Sequence, residues 1–127
     1  MKYLALVYFQ EAAMQQLSQQ QWDELNRECI ACGERLQLAG HYLGGNPLES
    51  VDTATTVRVR DGKLLTTDGP FAETKEQLAG YYLLEAKDLN EAVTLVAKIP
   101  PARYGCVEVR PVRELQAENN GGPRQAG

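Results

Sequence analysis

Two segments of this chain, Lys2–Phe9 and Gly80–Ala86, are apolar on both parities, and this limits the folds open to it. In the first, Tyr3, Ala5 and Val7 alternate with Leu4, Leu6 and Tyr8; in the second, Tyr81 and Leu83 alternate with Tyr82, Leu84 and Ala86. Successive side chains of a strand point to opposite faces, so strands of this kind must be covered on both. Cys106–Val112 behaves differently, setting Val107 and Val109 against Glu108 and Arg110, the pattern of a half-buried edge strand. A length of 127 residues with 43% hydrophobic side chains suits one domain with a packed core.

A well-punctuated helix lies between the two covered strands. Ser18 and Gln21 are spaced as a capping box, with Leu17 and Trp22 placed as the hydrophobic staple around it. Trp22, Leu25, Cys29, Cys32, Leu36 and Ala39 then recur at 3-4-3-4-3 spacing as one apolar stripe. Gly40 ends the helix where a left-handed residue is needed. A second helix opens at Asp88 with Glu91 as its capping partner and is expected to bury Leu89, Ala92, Val93 and Val96 before Pro100-Pro101 stops it. His41–Gly45 reads as a short strand leading into the Asn46-Pro47 turn. Thr55–Arg60 and Lys63–Thr67 read as a β-hairpin, because Asp61-Gly62 between alternating segments is a strong hairpin signal.

The order of elements is therefore that of an α+β, ferredoxin-like split βαβ sandwich with an inserted β-hairpin, its first and third strands at the centre. Residues 1–115 form the domain, and the polar, glycine-rich residues 116–127 are expected to be a disordered tail. One layer of two helices covers only one face of a four-stranded sheet. A second copy is the expected cover for the other, giving a homodimer of the dimeric α/β-barrel type.

Charge narrows the partners. Thirteen basic against 17 acidic residues give a net charge of −4 with no basic block, which argues against nucleic acid or an anionic membrane. The apolar start, MKYLALVYFQ, is of strand length, too short for a signal-peptide core or a bilayer span. Three cysteines without a secretory signal predict reduced thiols and a cytoplasmic protein.

The segment ATTVRVRDGKLLTTDGPFAETKEQLAGYYLLEA, followed later by PPARYGCVEVRPV, resembles the DGPF branch of the YCII-like family from Met1 to about Val112. The resemblance implies a ferredoxin-like fold, a dimeric α/β arrangement, and relatives often encoded beside sigma factors of the extracytoplasmic-function type. The wider family includes a chloromuconolactone dehalogenase and members with a proposed His–Asp acid–base pair, the histidine lying near the start of the first helix. Here that region is Ser18–Leu25, SQQQWDEL, without histidine, and His41 follows the helix instead.

Several residues could carry chemistry. Asp68, before Gly69 and Pro70, is either a carboxylate on a stiff turn, able to act as a general base if burial raises its pKa, or a turn residue bonding nearby N–H groups. The ring of Phe71 is expected to anchor that turn by burial. Glu73 and Lys75 either close over a ligand or are solvated loop charges. Glu108 and Arg110 share one strand face as a structural ion pair or a binding group, and Arg103 and Tyr104 precede them in a loop. His41 is a lone imidazole, a candidate base or a helix-end histidine. Cys29-Ile-Ala-Cys32 has redox spacing but falls on the helix stripe, which favours packing, as does the strand position of Cys106. No metal-ligand spacing or phosphate-cradling glycine motif appears, so no cofactor is expected. The functional expectation is a small-molecule-binding protein with a polar cleft near the DGPF turn, in a regulatory or stress pathway. The alternative is a cofactor-independent acid–base enzyme of isomerase, lyase or dehalogenase type. It would act on a small anionic organic compound, with Asp68 as base and Arg110 or Lys75 orienting the substrate.

Overall fold

The computed structural model describes residues 1–117. Six strands and three helices follow one another as β1 (Lys2–Phe9), α1 (Glu11–Met14), α2 (Gln19–Leu38), β2 (Tyr42–Pro47), β3 (Thr55–Arg60), β4 (Lys63–Asp68), β5 (Gln77–Glu85), α3 (Leu89–Val96) and β6 (Cys106–Pro111). The main sheet has the order β2-β5-β1-β6 and every neighbouring pair in it is antiparallel. The two strands expected at the centre, the first and the one following the DGPF segment, are central. This α+β arrangement is consistent with a ferredoxin-like fold. From residue 118 on, the tail expected at 116–127 lies outside the described residues.

Helix α2 forms where the local chemistry starts and stops it. The Ser18 hydroxyl accepts from the Gln21 N–H at 3.1 Å, while the Gln21 side chain accepts from the Ser18 N–H at 2.8 Å, so two otherwise orphaned donors are satisfied. At the other end Gly40 takes a left-handed φ of 81°; its N–H donates to Gln37 and that of His41 to Leu36, closing a Schellman motif. Asp88 caps α3 by accepting from the Glu91 N–H at 2.9 Å.

The helices cover one face of the sheet. Ala5 and Val7 of β1 pack with Cys32 and Leu36 of α2, Leu84 of β5, Val96 of α3 and Ile99 beyond it. Tyr3, Ala86 and Ala92 form a smaller neighbouring cluster. Two residues expected in this layer are outside it: Leu89 is 52% and Val93 49% exposed, because α3 is two turns long and turns only Ala92 and Val96 fully inward. The register sets Leu4, Leu6 and Tyr8 against Leu83, Tyr81 and Leu78 on the other face, where no helix lies and all six are only half-buried.

Thr55–Arg60 and Lys63–Asp68 pair as a two-stranded ribbon across Asp61-Gly62, both of which have positive φ (51° and 73°), as a tight turn between twisted strands requires. Every ribbon residue except Thr56 is exposed. At its base the Gly69 N–H donates to the Ala54 carbonyl at 2.7 Å, and the Thr56 hydroxyl donates to the Gly69 carbonyl at 2.8 Å.

The edge strand β6 enters the sheet under steric constraint. A Cβ on Gly105 would lie 1.9 Å from the Tyr8 carbonyl oxygen and 2.8 Å from the Phe9 Cα, so the two backbones meet only because this residue lacks a side chain. Gly105→Ala should therefore destabilise the fold by about 1–3 kcal/mol, the usual range for overpacking. Urea titration should give a lower midpoint at an unchanged slope, and a midpoint equal to wild type would mean β6 can shift freely.

Candidate functional site

Helix α2 carries two adjoining stripes with different fates. Leu25, Cys32 and Leu36 are buried, Cys32 and Leu36 in the core cluster and Leu25 as part of a cavity lining. Trp22, Asn26, Cys29, Gly33 and Gln37 follow a neighbouring line and face a cavity of about 690 Å³ between α2 and the β2–β5 side of the sheet. The stripe expected to be core throughout is thus split: Trp22 and Cys29 are half-buried cavity walls, and Ala39 is exposed at the helix end. The volume is within the range of small-molecule sites.

The sheet supplies the floor. Val7 and Phe9 reach it from β1, Tyr82 from β5 and Tyr42 from β2. The Tyr42 and Tyr82 rings meet edge to face, 6.3 Å between centroids and 76° between planes. The Tyr42 hydroxyl donates to the Gly45 carbonyl at 3.2 Å. Desolvation pushes the Tyr82 phenol up to about 12, so it remains a neutral donor at physiological pH. Gly45 brings β2 close to β5, since a Cβ there would lie 2.7 Å from the Tyr81 carbonyl oxygen.

Gly33 shapes the opposite wall. Glycine inside a helix costs roughly 0.8–1 kcal/mol relative to alanine, yet it stands well within the 20-residue α2. A Cβ added there meets nothing within 4 Å. Packing therefore does not demand glycine at this position, and the effect of its missing side chain is to keep the cavity open. The remaining polar lining from α2 is Asn26, Glu34 and Gln37; among the described residues no Lys, Arg or His lines the cavity.

Asp68, Lys75, Glu108, Arg110 and His41 do not line it either. Asp68 is the last residue of β4, exposed and paired across the ribbon with Thr55, so it closes a strand instead of standing on the turn itself. Phe71 does not anchor the turn within the chain: it is 82% exposed, with no core beneath the ribbon base to receive it. Lys75 is exposed in the loop that follows. Glu108 and Arg110 lie together on the sheet face opposite Val107 and Val109, beside Leu6 and Leu4 of β1. Both are exposed, and no ion pair joins them among the described contacts. His41 sits at the far end of α2, where its Nδ1 is 2.8 Å from the Glu85 carbonyl oxygen and 3.9 Å from a Glu91 carboxylate oxygen. Among the described residues there is no cluster of three or more His, Cys, Asp or Glu able to hold a metal ion.

The thiols are held in their protonated form. Burial pushes Cys29 up, reinforced by Cys32 and the Glu28 carboxylate and opposed by Arg103. Cys32 is raised by burial against the pull of Arg35 and Lys98, and its Sγ donates to the Lys98 carbonyl at 3.8 Å. Cys106 is exposed; its Sγ donates to the Glu76 carboxylate at 3.2 Å, and this bond raises its pKa. All three cysteines are free.

The family model of the YCII-related domain matches residues 1–116. An uncharacterized protein of Rhizobium meliloti (strain 1021) is 33% identical over 114 residues, covering 88% of this chain and 92% of the relative. No helix among the described residues is long and apolar enough to cross a membrane.

Thiol labelling in native buffer should follow exposure: Cys106 first, Cys29 slowly, and Cys32 only after denaturant is added. Mass spectrometry of alkylated peptides reads the order. Fast labelling of Cys32, or a Cys29–Cys32 disulfide under mild oxidation, would contradict the packing described.

Proposed function

The chain belongs to the family of the YCII-related domain, and from that premise we propose that it is a small-molecule-binding protein whose ligand occupies the cavity between α2 and the sheet. The observation that carries this reading is the mid-helix Gly33, which leaves open an apolar space that any larger side chain would narrow. A helix under selection for stability alone would place alanine there. Binding is favoured over turnover because the candidate base, Asp68, is exposed and lines no part of the cavity. Binding without turnover suits a role in a regulatory or stress pathway.

The reading includes a second copy of the chain. Leu4, Leu6, Tyr8, Tyr81 and Leu83 form a continuous half-exposed apolar face on the side of the sheet without helices. Like surfaces of this kind associate around a two-fold axis, sheet against sheet, with Glu108 and Arg110 at the rim. Light scattering should return twice the chain mass. Leu6→Glu, which sets a carboxylate at the middle of that face and leaves the helix-side core untouched, should return the single mass with the helical circular dichroism retained. A single-chain mass for wild type at micromolar concentration would reject the dimer.

The binding reading is tested with N-phenyl-1-naphthylamine, a neutral dye whose emission rises in apolar sites. Trp22, the single tryptophan, is a wall of the cavity, so dye bound there should also be excited by energy transfer from it. Gly33→Leu projects an isobutyl group into the cavity and should reduce the dye's affinity at least tenfold while the fold stays intact. Equal binding by wild type and variant would place the dye elsewhere and sink the proposal.

A further inference from the structure

We infer that the cavity selects a neutral, ring-bearing molecule with a carbonyl, hydroxyl or amide group, and that it rejects carboxylates, phosphates and sulfonates. This rests on the binding reading above and adds the chemistry of the ligand. It departs from the anionic substrate that the loop charges suggested, because Lys75 and Arg110 are not part of the lining.

Among the described lining residues the only formal charge is that of Glu34, and it is negative. An anion entering the cavity would give up hydration without a counter-charge to replace it. Arg103, whose charge acts on Cys29, has its guanidinium already engaged by Glu28. Burial is the main cause that raises the Cys29 pKa, Cys32 and the Glu28 carboxylate add to it and Arg103 opposes them, so this wall disfavours negative charge.

Trp22 on α2 and Tyr42 and Tyr82 on the sheet all line the cavity, the two tyrosines packed edge to face, so both helix and sheet present aromatic surface to it. Flat apolar rings gain against such walls the dispersion contacts that water cannot supply. A cation is the other guest that aromatic walls accept. Here Glu34, the single carboxylate that would complement it, is exposed to solvent and screened, while the buried part of the lining has no charge.

Asn26 and Gln37 each offer both an amide N–H donor and a carbonyl acceptor at the helix side of the opening. Amides pair well with neutral carbonyl and hydroxyl groups and do not neutralise an ion. A ring inside and one neutral polar group at the opening satisfy every wall.

Two dyes with one skeleton decide the matter. N-Phenyl-1-naphthylamine is neutral, and 8-anilino-1-naphthalenesulfonate adds a sulfonate to the same rings. The neutral dye should bind wild type at least tenfold tighter, and the preference should persist in about 0.5 M sodium chloride, where repulsion by the net negative surface is screened. Sulfonate binding within threefold of the neutral dye, and lost in Gly33→Leu, would overturn the charge selectivity while the cavity reading stood. A preference that vanishes in salt would assign it to overall charge and overturn the inference equally. Displacement of the neutral dye should be stronger with 2-naphthalenemethanol than with the (2-naphthylmethyl)trimethylammonium ion; the reverse order would make the site cationic. If neither dye senses Gly33→Leu, the cavity reading itself fails, an outcome distinct from all the others.

Discussion

Tyr3, Ala5 and Val7 on one side of β1 sit under helices, while Leu4, Leu6 and Tyr8 on the other side have none above them. That asymmetry governs the rest of the molecule. The pleat makes it unavoidable, since a strand cannot turn all its side chains to one face. The helix-covered face yields the core and the cavity. The bare face yields the surface on which the proposed second copy would sit, and the charged residues of β6 are carried to its border as a consequence of register.

On the covered face, α2 has two tasks that compete. Its inner line, Leu25, Cys32 and Leu36, must be filled to hold the sheet. Its outer line, through Trp22, Cys29 and Gly33, leaves space unfilled. Protein interiors are ordinarily packed to crystal-like density, and an apolar void forgoes the contacts that would stabilise its lining. The loss here is shared between the glycine, the half-exposed tryptophan and the thiol of Cys29. The chain has kept such a void beside a complete core, so the void is a property of the wall residues and not a general looseness of packing.

What could be read from the residues alone was what is set locally. Ser18 with Gln21, Gly40, Asp88 and Asp61-Gly62 each act within a few positions of themselves, and each forms the cap or turn its chemistry dictates. The two-sided strands were legible because alternation with period two needs no knowledge of partners. The cavity was not legible in the same way, because it is defined by side chains far apart in sequence that fail to meet. One signal did exist: positions 22, 26, 29, 33 and 37 trace a helical line with a glycine in it, offset from the core stripe. Asp68 drew notice through its motif, but the stiffness of Gly69-Pro70 fixes only the local path. Its position at the end of an exposed ribbon depends on how β3 and β4 leave the body. Leu89 and Val93 fit a helical period, yet a two-turn helix has too narrow a contact with the sheet to bury them.

The pairing scheme also orders events in time. Tyr3 of β1 lies opposite Leu84 on one side and Pro111 on the other, and β2 finds its partner only in β5. No strand of the main sheet therefore has a neighbour until the ribosome has passed residue 77, and β1 is not flanked on both edges until β6, Cys106–Pro111, has been added. At roughly 5–20 residues per second, the most apolar strand of the protein waits on the order of 4–15 seconds for its first neighbouring strand. Helix α2, whose caps are local, can form in well under a millisecond and is the first surface on which that strand can rest. Topologies dominated by such distant pairings fold slowly. During synthesis the nascent N-terminal segment thus keeps its strand-pairing edges open until β5 arrives.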